Sequence, residues 1–143
     1  MNAVNVPLGE TLVHTKNVKR WVLWLGWLVS LWPAFVIVSS ATWKLTRNPW
    51  YVHEFARIGW PGSALTGLAL LQLSFLALYL LPPTAVLGAI LLTGYLGGAI
   101  ATYVRIGELY PVLVPLSTSM IAWAGIYLRE ERLRKLLPLR RNT

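Results

Sequence analysis

The chain contains no cysteine. Disulfides, zinc–thiolate centres, thiol relays and c-type haem attachment are therefore excluded within it. Aspartate is missing too, and the only acids are Glu10, Glu54, Glu108, Glu130 and Glu131. A Ser/His/Asp site thus lacks its acid type. Of the two histidines, His14 has only Glu10 near it as a further ligand type and reads as a solvated tail residue. A metal site would have to be built from His53, Glu54 and Glu108, a thin ligand set, so the expectation is no metal and no covalently bound cofactor. Gly94, Gly97 and Gly98 lie inside an apolar run rather than after a strand, which excludes a P-loop or a dinucleotide fingerprint. No complete catalytic constellation is present, and the reading leans away from an enzyme. Charge is scarce as well: 13% of residues, against about a quarter in soluble proteins.

What is abundant is apolar. Hydrophobic residues make up 56% of the 143, with eight tryptophans. They are gathered in four runs, 21–43, 63–81, 84–103 and 111–128, none of which carries a charge. A bilayer core about 30 Å thick needs roughly 20 such residues at helical rise. A soluble bundle would instead alternate apolar stripes with charged faces. The expected fold class is therefore all-α: an integral membrane four-transmembrane-helix bundle, one domain over 1–143 with tails 1–20 and 129–143. Lys16, Lys19 and Arg20 precede the first run as in a signal peptide. The run far exceeds the 7–15 residues of a signal h-region, so it is expected to be a retained span.

The net charge of +8 sits mainly on one side. With four spans, Lys16, Lys19, Arg20, Arg129, Arg132, Arg134, Lys135, Arg140 and Arg141 share a side, while Lys44, Arg47, Arg57 and Arg105 share the other. The positive-inside rule then places both termini in the cytoplasm of a multi-pass cell-membrane protein. Trp43, Trp50, Tyr51, Trp60, Tyr103 and Tyr110 mark the outer boundary, and Trp21, Trp24, Tyr79 and Tyr127 the inner one. The basic excess is read as topology and attraction to anionic lipid, with a protein docking surface second and nucleic acid excluded. Residues 128–137 read as a short basic interfacial helix, with Glu130–Arg134 and Glu131–Lys135 at i,i+4 and Leu133, Leu136 and Leu137 facing the bilayer.

Pro82-Pro83 makes the second loop a tight hairpin. In the first loop, Asn48 is a candidate N-cap with Pro49 at the first helical position, and Gly59 a candidate stop. Tyr51, Phe55 and Ile58 share one face between them, opposite Trp50, Glu54 and Arg57. That predicts a short amphipathic helix on the outer surface or capping the bundle. In the third span Gly94 and Gly98 form a GxxxG pair, with Gly97 beside them. Close helix packing is the first reading, and a cofactor or lipid tail against a flat glycine face is the second. Gln72 lies near the midplane, where an amide needs partners: an interhelical bond, or a polar contact to a quinone, pigment or substrate. Arg105 and Glu108 at the end of the third span and His53, Glu54 and Arg57 in the first loop approach one side, so these five are expected to meet. Ionisable groups at a membrane boundary are functional candidates.

The stretch Leu91-Leu92-Thr93-Gly94-Tyr95-Leu96-Gly97-Gly98-Ala99-Ile100-Ala101-Thr102-Tyr103-Val104-Arg105-Ile106-Gly107 resembles the third-helix signature of DoxX-like membrane proteins. Tyr127-Leu128-Arg129, the tail from Arg132 to Pro138 and, more loosely, Gly59-Trp60-Pro61 resemble the same family. The resemblance implies a small four-helix membrane bundle. It also implies a link to membrane oxidoreductase complexes, since the founding name comes from a subunit of a terminal quinol oxidase with thiosulfate:quinone activity. Many relatives carry histidine where this chain has Tyr103, a poor haem or zinc ligand.

Two functional classes follow. One is a non-catalytic accessory or structural subunit of a larger bacterial membrane complex, linked to electron transfer, with protein partners in the bilayer. The other is a stand-alone membrane protein that binds or acts on a quinone or other lipophilic ligand. Its site would draw on Gln72, Tyr95, Tyr103, Arg105, Glu108, His53, Glu54 and Arg57.

Overall fold

The structure is a computed structural model that describes residues 8–130 and Leu133, with side chains described from Arg20 onward. It is all-helical, with no strand among the described residues. Helix α1 runs Leu8–Leu45, α2 Pro49–Arg57, α3 Ala64–Leu80, α4 Ala85–Arg105 and α5 Leu113–Arg129. Single 3₁₀ turns at Pro82–Thr84 and Tyr110–Val112 lead into α4 and α5. Three segments are long and apolar enough to cross a membrane: Arg20–Leu45, Pro82–Arg105 and Tyr110–Arg129. Helix α3, at 17 residues, is shorter and is also apolar. The stretch before residue 21, expected as a tail, is already helical from Leu8. At the other end α5 stops at Arg129, and Glu130 is extended with φ −107° and ψ 102°. Apart from Leu133, the basic helix expected beyond it lies outside the described residues. Leu133, expected on the bilayer, packs against the core.

The long helices form a ring in which α1 packs on α3 and α5, and α4 on α3 and α5. On α1 and α5 its inside is made mostly of small and weakly polar residues, while α3 and α4 turn Leu65, Leu76, Tyr79 and Leu92 inward. In α1 the buried positions are Gly26, Ser30, Pro33, Ile37, Ala41 and Lys44, a stripe with spacings of three and four. In α5 they are Pro115, Thr118, Ala122, Gly125 and Ile126. Meanwhile Trp21, Trp24, Leu28, Leu31 and Phe35 point outward. Lipid is as apolar as leucine, so bulky side chains gain nothing by turning inward, whereas small ones let backbones approach. The glycines that serve this are Gly26, Gly88 and Gly125. A Cβ on Gly88 would lie 2.1 Å from the Tyr79 amide nitrogen, and one on Gly125 would lie 2.5 Å from Ser30 Oγ.

At the hairpin end these contacts enclose a polar knot. The buried Tyr79 hydroxyl donates to Ser30 Oγ and to the Ala122 carbonyl, both at 3.0 Å. The Arg129 guanidinium lies over the Tyr79 and Trp27 rings, 4.5 and 4.7 Å from their centroids, and donates to the Tyr79 carbonyl. Arg129, expected as the start of a basic tail, is thus a tie between α5, α3 and α1. Its flat guanidinium can stack and hydrogen-bond at once, which an ammonium cannot.

Candidate functional site

The opposite end of the ring is open inside and covered by α2. Helix α2 begins as expected: Asn48 Oδ1 accepts from the Trp50 amide at 3.0 Å, and Pro49 occupies the first turn. It is flanked by the only described residues with positive φ in this loop, Arg47 at 49° and Gly59 at 85°. Tyr51, Phe55 and Ile58 face inward and roof a cavity of about 470 Å³. That falls within the ~300–1,000 Å³ of small-molecule sites. All four long helices contribute to its wall.

Gly94 and Gly98 lie on that wall, and a Cβ on either would meet nothing within 4 Å. Gly97 also meets nothing and does not line the cavity. The expectation that these three glycines seat a neighbouring helix is not met among the described residues, where nothing lies within 4 Å of a Cβ on any of them. The register of α4 instead turns Ala85, Gly88, Ala89, Leu92 and Leu96 to its neighbours. The flat face of Gly94 and Gly98 borders empty space.

The polar floor of the cavity is centred on a residue that charge counting assigned to the outer loop. Lys44 is only 5% exposed, at the end of the inward stripe of α1. Its Nζ donates to Gln72 Oε1 at 2.7 Å, Ser40 Oγ at 2.9 Å and the Tyr95 hydroxyl at 3.1 Å. Tyr95 donates to Gln72 Oε1 at 2.6 Å, and Gln72 Nε2 donates to the Ile37 carbonyl at 2.8 Å. Gln72 therefore makes both an interhelical bond and a cavity contact. Phe55 and Tyr95 add ring faces, with centroids 5.8 and 5.7 Å from Nζ. The signal that could have found Lys44 is its spacing: seven residues after Ile37 and four after Ser40, it shares their face.

A second polar group closes the rim. Arg57 bonds Glu54 through Nε at 2.9 Å and Nη2 at 2.5 Å, and bonds Glu108 through Nη1 at 2.5 Å and Nη2 at 3.0 Å. The Tyr103 hydroxyl, on the cavity wall, reaches Glu54 Oε1 at 3.4 Å. Hydrogen bonds from Arg57 hold both carboxyls below their ordinary range, against a smaller opposing effect of burial. The same bonds, Glu54's first, hold Arg57 in its charged form. The five residues expected to meet do so only in part. Arg105 instead donates from Nη2 to the Ile58 carbonyl at 3.0 Å, tying down the end of α2. His53 is exposed on the outer face of α2, and among the described residues its imidazole makes no hydrogen bond. Among the described residues no group of three His, Cys, Asp or Glu could hold a metal.

A model of the DoxX-like family matches residues 28–125, most of the chain. The chain belongs to the DoxX-like family. The match covers α1 from its middle, all of α2, α3 and α4, and α5 almost to its end, so the cavity falls inside the DoxX-like region. The Arg129 tie lies just outside it. With family and spans together, the protein is a multi-pass membrane protein in contact with lipid. No curated protein and no solved structure matches the chain.

Proposed function

We propose that this DoxX-like protein is a binding protein for a quinone or other lipophilic ligand with a polar head, held between α3, α4 and the roof helix α2. The observation that carries the reading is the cavity of about 470 Å³, apolar on its walls and ending on Lys44, Gln72 and Tyr95. A ring or chain would lie on the flat face of Gly94 and Gly98 under Tyr51 and Phe55. Its polar head would meet the Lys44 ammonium. An accessory role in an electron-transfer complex needs neither the space nor a buried cation, which ranks binding first. The two are compatible if the ligand is handed to a partner in the bilayer. In this reading α3 is a fourth span, shortened because Pro82 ends it early, and both termini are cytoplasmic in the cell membrane.

Mild detergent purification followed by solvent extraction and mass spectrometry tests the binding. The wild type is expected to carry one lipophilic species near stoichiometry. Gly98→Leu, which fills open space, should lose it while keeping its elution profile and melting temperature. Equal content in both proteins refutes the reading.

A further inference from the structure

Lys44 carries its charge where charge is expensive, within a membrane-spanning helix, and its surroundings satisfy its hydrogen bonds without neutralising it. Three acceptors meet Nζ, the number that a protonated ammonium donates. A neutral amine has one donor fewer. All three acceptors are uncharged: a serine hydroxyl, an amide oxygen and a phenol. Among the described residues no carboxylate lies within ion-pair distance of Nζ, because Glu54 and Glu108 are both engaged by Arg57. Glu10 is no substitute. It lies 34 residues earlier on the same helix, about 50 Å away at helical rise. Glu130 sits at the hairpin end, beyond α5.

We infer that the missing negative charge is supplied by the ligand, so that the cavity takes the anionic oxygen head of an alkyl-chain amphiphile. The proposal rests on the binding reading above and narrows its ligand class. Lys44, Ser40, Gln72 and Tyr95 all line the cavity, so an oxyanion there reaches the ammonium directly. The bond to Tyr95, at 3.1 Å the longest of the three, is the one such an oxygen replaces at least cost. Tyr95 keeps its donation to Gln72. An ion pair in a low-dielectric, water-poor site is worth far more than one at the surface, and a charge-assisted hydrogen bond is about twice as strong as a neutral one. A neutral carbonyl head would leave the ammonium uncompensated.

The test compares dodecyl phosphate, dodecanoate, dodecanol, a short-chain quinone and inorganic phosphate as stabilisers of the purified protein in an uncharged detergent, read by thermal shift and calorimetry. Dodecyl phosphate or dodecanoate is expected to bind at least tenfold more tightly than dodecanol, with inorganic phosphate without effect. Lys44→Arg should keep the preference, and Lys44→Met should abolish it. Equal binding of dodecanol and the two anions overturns the anionic head and leaves the lipophilic-ligand reading standing. Failure of every alkyl compound and the quinone overturns both. Inorganic phosphate that stabilises as well as dodecyl phosphate assigns the site to a free anion and overturns the amphiphile. The wild-type comparison decides the matter even if the Met variant does not fold.

Discussion

At the scale of single residues, the glycines divide by what stands opposite them. Gly88 faces the backbone of α3, with the Tyr79 nitrogen 2.1 Å and the Tyr79 Cα 2.4 Å from an added Cβ. Backbone cannot swing aside as a side chain can, so Gly88→Ala must part the hairpin. We expect a loss of about 1–3 kcal/mol or more, read as a lower melting temperature in detergent. Gly94→Ala meets nothing and gains helix propensity of up to about 1 kcal/mol; its melting temperature should hold or rise. The reverse order would mean that Gly94 seats another helix after all. From spacing alone the pair at Gly94 and Gly98 was the conspicuous one, and Gly88 was not distinguishable. A glycine's role depends on what the fold brings against it, which no local pattern encodes. Lys44 shows the same divide. Its position on a face with Ile37 and Ser40 was legible, but its three partners come from α1 itself, α3 and α4.

At the scale of elements, α2 was the most legible part of the chain, since its cap, first-turn proline, stop and two faces are all local features. What locality could not show is how it is held. Only a few contacts join it to α1; Arg57 straps it to Glu108 at the end of α4, and Arg105 to the Ile58 carbonyl. Both carboxyls of the strap are held below their ordinary 4.5 by Arg57. A lowered folded-state value means that stability is fully present above the ordinary value and is lost as pH falls through the lowered one. The strap should therefore be intact at neutral pH and weaken only as the pH falls below that ordinary value of 4.5. Hydrogen exchange of the α2 amides, corrected for the intrinsic rate, should show protection that collapses in that acid window. Arg57→Ala should show low protection at every pH. Protection in the wild type that ignores pH would place the hold on α2 elsewhere.

At the scale of the whole molecule, the absence of cysteine makes topology directly measurable. His53→Cys on the exposed face of α2 and Asn142→Cys in the tail should react oppositely with an impermeant maleimide. The first should label in intact cells and the second only after lysis. Labelling of both, or neither, in intact cells removes the even number of spans on which the cytoplasmic termini depend. Composition and the spacing of charges determined by themselves that the chain is helical and apolar along membrane-length runs. Those properties follow from counting and from the fixed rise of a helix. Only the tertiary structure decided which glycines touch a neighbour, that Arg129 ties three helices together, and that Lys44 turns inward to end a cavity. Each of these depends on the rotation of one helix against another, and that is set by packing across the ring.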